Sequence, residues 1–545
     1  MLVSVAQASF GATFVWILWK VFRHYILPSP LDSIPGPPRQ SFLLGNMAIF
    51  LGREGWEFYD KLRGVGSVSR LDGILGSKYL FTYDPKVLHH ILLKDQQSFR
   101  DPTWFLAHCN ASFGPGLLSV EGERHKRQRK MLNPAFSATQ MRRIIHMLYE
   151  TAHTLQKAIQ GDITGKSEDV DVLNWLNRSA LDSIGRGGLG YSFDALHCEE
   201  SNGFANAIKM FVPAFTDSAV IAPLVEHLNL GAAGFGSRIM GYIPIRAVKQ
   251  LKYAVNSLRS HSVKIYNEKK AMIMEESKST SGQPVTEDVS DAILSELIKA
   301  NTEAEAEDRL ADDEIIAQMS TFLFAATDTT SGMMSRILHL LSEYPEVQER
   351  LRAEIIDARG GQDIPYDQLV QLPYLDAVCK ETLRMYPPTP IAFKQAQREV
   401  VVPLAFPIRD VNGKEQQQIL IPKGTMVFIG IQAANRYKEV WGDDADEWNP
   451  DRWLSPLPTS VIDAHIPGVY SHLMSFFGGT KSCIGFKFAE TEMKVILSVL
   501  LEKFRFSRSS KEIYWNLSLV TFPTVGKTNP KSQLPLVVEK LSEER

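Results

Sequence analysis

Residues Ser475 to Glu490 read SFFGGTKSCIGFKFAE, one cysteine among three glycines directly ahead of a run with helical spacing. Gly478 and Gly479 can take the positive φ values a tight loop needs, and Gly485 allows close approach just after the cysteine. Beyond it Phe488, Ala489, Met493, Ile496, Leu497 and Leu500 fall on one stripe, which predicts an amphipathic helix. A thiolate at the start of that helix would face its positive end and free N–H donors, which lowers the pKa of Cys483 and suits a soft anionic metal ligand. The loop reads as a cup that presents one sulfur. On these residues alone two other readings stay open for Cys483, a buried structural cysteine and a nucleophile with a histidine base elsewhere. Cys109, Cys198 and Cys379 lie far away in sequence and read as structural.

Upstream, WNPDRW (Trp448–Trp453) places Arg452 in a loop, and KETLRMYPP (Lys380–Pro388) places Glu381 and Arg384 at i, i+3 on a helix stopped by Pro387 and Pro388. Arg452 can then offer a second guanidinium to the Glu381 carboxylate. Farther back, Asp312 to Leu341 predicts one long helix, with Asp312, Asp313 and Glu314 at its positive end and Pro345 beyond its last turn. At 1.5 Å per residue it spans about 45 Å, enough to cross a domain. In its centre, FLFAATDTTSGMM, the residues Asp328, Thr329 and Thr330 interrupt an apolar run, which is unfavourable unless they are paired or functional. Ala325 and Thr329 share a face and leave a shallow step where something flat can lie.

The 545-residue chain carries 59 basic and 62 acidic side chains, so the basic footprint of a nucleic-acid binder is absent. Four unclustered cysteines argue against a disulfide framework or a zinc site and fit a reducing compartment. Leu2 to Trp19 is mostly apolar, lacks ionisable side chains and precedes Lys20, Arg23 and His24. It is expected to be a transmembrane helix with a cytosolic basic flank (1–26) rather than a cleaved signal peptide, since no basic n-region or cleavage site is visible. LPSPLDSIPGPPRQ (27–40) is a stiff proline-rich hinge. In the body, SVSRLDGILGSKYLFTY predicts a hairpin and DPKVLHHILL a helix, and beyond about Arg124 the patterns are mainly helical. EESKSTSGQPVTEDVS reads as a flexible surface link. The expected class is mainly α with small β-sheets (α+β), preceded by a single N-terminal transmembrane helix.

FFGGTKSCIG, together with AATDTT, ETLR and WNPDRW in that order, resembles the cytochrome P450 superfamily of haem-thiolate monooxygenases, in particular the membrane-anchored microsomal type and its fungal members. The resemblance runs from the IPGPP hinge to the C-terminal hairpin. It implies the P450 fold, with residues 41–545 as a single haem-binding catalytic domain held at the endoplasmic reticulum membrane by one span and facing the cytosol. It implies haem b with Cys483 as axial iron ligand, Phe476 beside the sulfur, and Gly479, Lys481, Gly485 and Ala325 around the cofactor. Glu381, Arg384 and Arg452 would form the family's ion-pair triad, and Asp328 and Thr329 its proton-delivery pair. His125 and Arg129 of GERHKRQRK stand where a tryptophan and an arginine commonly meet a haem propionate. Lys394 and Lys481 stand where arginines are common, and a lysine keeps the charge but loses the bidentate fork. Ala326 replaces the usual glycine of the long helix.

By the same resemblance the substrate pocket draws on Trp104, Phe105, Leu106 and Phe113, on the region from Phe211 to Ile245, on TPIAF, and on SLVTFPT. These segments are apolar and aromatic, so a lipophilic substrate such as a terpenoid, fatty or polycyclic aromatic compound is expected. No nicotinamide or flavin fingerprint is present. Electrons would come from NADPH through cytochrome P450 reductase, docking near Lys481 and Lys487, with cytochrome b5 as a further donor and membrane lipid as a further partner. The sequons at Asn110, Asn177 and Asn516 should be silent in a cytosolic body. Two alternatives use the same cup. A haem-thiolate isomerase or dehydratase would have little need of Asp328 and Thr329, and a non-catalytic haem sensor would have little need of the pocket aromatics.

Overall fold

A computed structural model of the chain describes residues 19, 25–197, 207, 210–211, 214–215, 246–276 and 291–541. Among the described residues the helices of ten residues or more are α1 (Trp56–Val65), α2 (Thr103–Phe113), α3 (Gly122–Leu132), α4 (Ala138–Asp162), α5 (Val172–Ser183), α6 (Arg246–Glu276), α7 (Ile293–Glu303), α8 (Asp312–Glu343), α9 (Pro345–Arg359), α10 (Pro373–Met385) and α11 (Phe486–Lys503). Helix α8 is the long helix read from the sequence. Its acidic first turn faces the helix dipole as expected, and Pro345 starts α9 after the chain turns at Tyr344. Glu314 does more than complement that dipole. It is buried and accepts hydrogen bonds from Arg124 at 2.7 Å, Arg127 at 2.9 Å and Gln128 at 2.9 Å, tying the start of α8 to α3.

Met319, Leu323, Met333, Met334, Ile337, Leu338 and Leu341 of α8 are buried where α5, α6 and α11 pack along it, and α4 packs on α11. Burial of these side chains is the principal stabilising term, about 1.5–3 kcal/mol for each large one. A twisted sheet flanks this helical body. Its strands β1 (Val68–Asp72), β2 (Lys78–Thr82), β3 (Phe99–Arg100), β4 (Ile391–Ala396) and β5 (Met426–Gly430) lie in the order β1-β2-β5-β4-β3. β1 and β2 form the expected hairpin, antiparallel from Val68 opposite Thr82 to Asp72 opposite Lys78, and only β2 and β5 within this sheet run parallel. A second hairpin, β6 (Gly468–Tyr470) and β7 (Leu473–Gly478), leads straight into the cysteine loop. The class is α+β, as expected.

The transmembrane part of that expectation is corrected. Among the described residues no helix is long and apolar enough to cross a membrane, so the membrane anchor, the single-pass reticulum placement and lipid as a partner are not carried forward. Leu2 to Trp19, all but Trp19 itself, lies outside the described residues, as do residues 277–290 of the expected surface link and most of Phe211 to Ile245. The sequon asparagines show structural uses. Asn516 is buried and accepts from Arg53 Nε at 3.1 Å, and Asn177 accepts from Ser331 Oγ at 2.5 Å.

Candidate haem-binding site

The loop between β7 and α11 is pinned on both sides of its cysteine. Gly479 has φ +68°, and a Cβ there would come within 2.2 Å of the Leu92 carbonyl oxygen, so both conformation and contact demand glycine. The Cys483 N–H donates to the Phe476 carbonyl at 2.9 Å, and the Phe476 ring is held between Tyr470 at 5.3 Å and Phe486 at 6.0 Å. Arg129 of α3 donates to the Thr480 carbonyl at 3.1 Å, to Ser482 Oγ at 3.1 Å and to the Ser482 carbonyl, bracing the loop from below. Gly485 differs from the expectation. A Cβ there would meet only a Phe136 ring carbon at 3.8 Å, an ordinary contact, so no protein group needs its missing side chain. The space it leaves belongs to the cavity.

That cavity, of about 420 Å³, is lined by Cys483 and by Ala325, Ala326, Thr329 and Thr330 of α8. Cys483 lies deep in the fold yet is open to this internal space. Burial raises its thiol above the ordinary value, opposed by the Gly485 N–H and by Arg129, so the lowered pKa expected from the helix end is not met without a bound cation. Thr329 Oγ1 donates to the Ala325 carbonyl at 2.7 Å. The remaining walls are largely apolar, from Phe105, Leu118, Phe322, Ile391 and Leu519. Charge gathers along one edge, where Lys481, Lys394, Arg129, His125 and Asp101 line the cavity. Lys481 donates to the Val120 carbonyl at 2.7 Å and the Leu117 carbonyl at 3.3 Å. The His125 ring is buried with Nε2 unpartnered, and burial, then Lys481 and Arg129, drives its pKa down to about 3.

Cys483, Phe476, Lys481, Gly485, His125, Arg129, Lys394, Ala325 and Thr329 all line this one cavity. Asp328 does not reach its wall. It lies behind Thr329, where burial raises its carboxyl pKa to about 6. Gly479 shapes the loop from outside the cavity. Glu381, Arg384 and Arg452 do not line it, and both arginines pair with Glu381 as the triad requires. Glu381 and Arg384 are fully buried and paired in a fork, Nε to Oε2 at 2.9 Å and Nη2 to Oε1 at 2.8 Å. Arg384 also donates to the carbonyls of Asn435, Ala445 and Glu447. Arg452 approaches Glu381 only at 3.5 Å and spends its hydrogen bonds on Asp444 and the Trp441 carbonyl. The places left on Glu381 are filled by Trp453 Nε1 and the Asn449 N–H, each at 2.9 Å. Sequence reasoning missed Asp101, Leu118 and Phe322. Phe113 was expected in the pocket and instead packs with Phe211, Phe215 and Phe324 in an aromatic cluster.

The family model for cytochrome P450 matches residues 35–524. The chain belongs to the cytochrome P450 family. It is 43% identical to a cytochrome P450 monooxygenase of Postia placenta over 97% of both chains, and 40% identical to a ganoderic acid synthetase of Ganoderma lucidum over 99% of both. A cytochrome P450 monooxygenase of Hericium erinaceus is 33% identical over 95% of both. The protein is thus a cytochrome P450 oxidoreductase of the monooxygenase type. Membership implies haem b and an NADPH-linked electron supply. The cavity fits that cofactor, with an open thiol in its lining, an unfilled place beside Gly485, and cations with an unpartnered buried imidazole nitrogen along one edge.

Proposed function

We propose that this P450 oxidises a lipophilic substrate, of terpenoid, fatty or polycyclic aromatic class, in a cavity built within residues 41–545, with Cys483 as the axial ligand of haem b and electrons passed from NADPH by a flavoprotein reductase. The observation that carries the reading is the Cys483 thiol, open to an apolar cavity that the Ala325–Thr329 step also lines. Among the described residues no group of three or more His, Cys, Asp or Glu could hold a metal ion. One sulfur suffices for a metal that arrives with its other donors, as haem iron does. When bound, the haem supplies oxygen activation, for which a thiolate ligand is suited.

The rest is work for the chain's own side chains. Arg129, Lys394 and Lys481 would hold the cofactor's carboxylates by charge, and the His125 Nε2 would offer one more polar contact. Ala325 and Ala326 leave room in the cavity. Thr329, whose proton is committed to the Ala325 carbonyl, keeps its oxygen lone pairs available to a water in the cavity. Asp328, exchanging its proton near neutral pH, resupplies that water from behind the wall. The apolar walls exclude other water and orient the substrate. This pairing of acid and hydroxyl favours oxygen activation over a haem-thiolate isomerase or dehydratase. The substrate class is supported by the cavity walls, and the relative named for ganoderic acid synthesis directs the first compounds to try.

The test is a reduced, carbon-monoxide-bound spectrum of the purified protein and of Cys483→Ala, followed by NADPH consumption with the reductase across a lipophilic panel read by product mass spectrometry. A thiolate-type band that disappears in Cys483→Ala is expected. Retention of that band in the variant, or protein that carries no haem, would refute the assignment.

A further inference from the structure

Asp101 sits between β3 and α2, and its Oδ1 accepts from Lys394 Nζ at 2.7 Å while its Oδ2 lies 3.6 Å from Lys481 Nζ. The three side chains are only 12%, 8% and 18% exposed. In so little water two ammonium groups repel strongly and each is poorly solvated, so a carboxylate between them offsets that repulsion and fixes their separation. The Asp101 backbone is itself fixed, its N–H donating to Glu121 at 3.0 Å, and Glu121 lies off the cavity wall.

The charge count along the wall is informative. Among the described residues lining the cavity, the charged side chains besides the cysteine are Lys394, Lys481, Arg129 and Asp101, with His125 kept neutral by its surroundings. Three cations and one anion leave two net positive charges facing the cavity, and the haem edge carries two carboxylates. We propose that Asp101 is a positioning residue, the counter-ion that trims this edge to match a dicarboxylate cofactor and holds Lys394 and Lys481 in place to receive it. The inference rests on the haem assignment above. Because Asp101 directly precedes α2, whose Phe105 lines the same cavity, one carboxylate joins the cofactor's edge to the substrate wall.

The consequence is electrostatic. Removing the negative charge leaves a third net positive charge beside the cofactor, which favours the reduced iron because it carries one positive charge less. Asp101→Asn is expected to shift the one-electron reduction equilibrium about tenfold towards the ferrous state, about 59 mV upward. Asp101→Glu, which returns the edge to two net charges, should restore the parent potential.

The measurement is a spectroelectrochemical titration of the haem-loaded protein and these variants, with the carbon-monoxide spectrum recorded for each. A parent lacking the thiolate band overturns the haem-ligand assignment itself. A parent with that band beside an Asp101→Asn variant at the parent potential overturns only the role of Asp101. If Asp101→Asn takes up no haem, the charge-restoring Asp101→Glu variant decides. Haem uptake at the parent potential supports the proposal, and failure to load haem or a displaced potential overturns it.

Discussion

Replacing Glu492 by Gln should flatten the dependence of the protein's stability on pH, and by a calculable amount. Glu492 is fully buried on α11, and burial raises its pKa to about 8, opposed only by the Ser183 hydroxyl. An unfolded glutamate titrates near ~4.3. Between these values the folded protein keeps a proton that the unfolded chain has released. The side chain therefore penalises folding least below the unfolded value, increasingly as pH rises through the window, and to a constant extent above the folded value. One such proton corresponds to about 1.4 kcal/mol per pH unit. Glutamine has the same shape as the protonated acid and does not titrate. From about pH 5.5 to 7.5 the variant should gain about 3 kcal/mol on the parent. Urea unfolding of haem-loaded parent and variant across that range, followed by tryptophan fluorescence and compared at equal m-value, reads the difference directly. A gap between the two proteins that stays constant with pH would show that Glu492 does not hold a proton in the fold.

Three other outcomes are expected. Glu381→Ala strands a fully buried guanidinium along with the Trp453 and Asn449 donors, and should cost about 3–5 kcal/mol; a thermal midpoint equal to the parent's would remove the buried pair from the account of stability. Thr329→Ala should raise the NADPH consumed per product formed, and an unchanged ratio would exclude the hydroxyl from proton delivery. Gly479→Ala forces a side chain into positive φ and against the Leu92 carbonyl, a strain of about 1–3 kcal/mol or more at the cysteine loop. Its expected sign is reduced haem content at matched purity, and full haem loading would disprove it.

Much of the fold and cavity was legible because the informative patterns are local. The long helix, the hairpin from Val68 to Thr82 and the cysteine loop are each specified by spacing within a few turns of chain. What stayed hidden depends on contacts between distant segments. The Asp101–Lys394 bond joins residues 293 positions apart, and nothing in the neighbourhood of Asp101 signals it. Arg452 is the second cation beside Glu381 that the sequence suggested, but its further pairing with Asp444, eight positions away, was not visible. Glu492, between Thr491 and Met493 in a stretch rich in charge, gave no hint of complete burial. Burial likewise reversed the direction expected for the Cys483 thiol, since a helix end is visible in sequence and desolvation is not. The first apolar segment satisfied local rules for a membrane span, yet no described helix qualifies as one.

Phe105, Leu118, Phe322, Ile391 and Leu519 come from five separate stretches of chain, and none of these five side chains bonds the cysteine loop, although the Leu117 and Val120 carbonyls beside Leu118 hold Lys481. Mutations that reshape what the enzyme accepts can accumulate at these positions one at a time while the sulfur and its bracing stay as they are. Selectivity and reactivity are thus separately heritable in this architecture, which is why directed evolution towards a new substrate should begin at these five residues and leave the glycines of the loop alone.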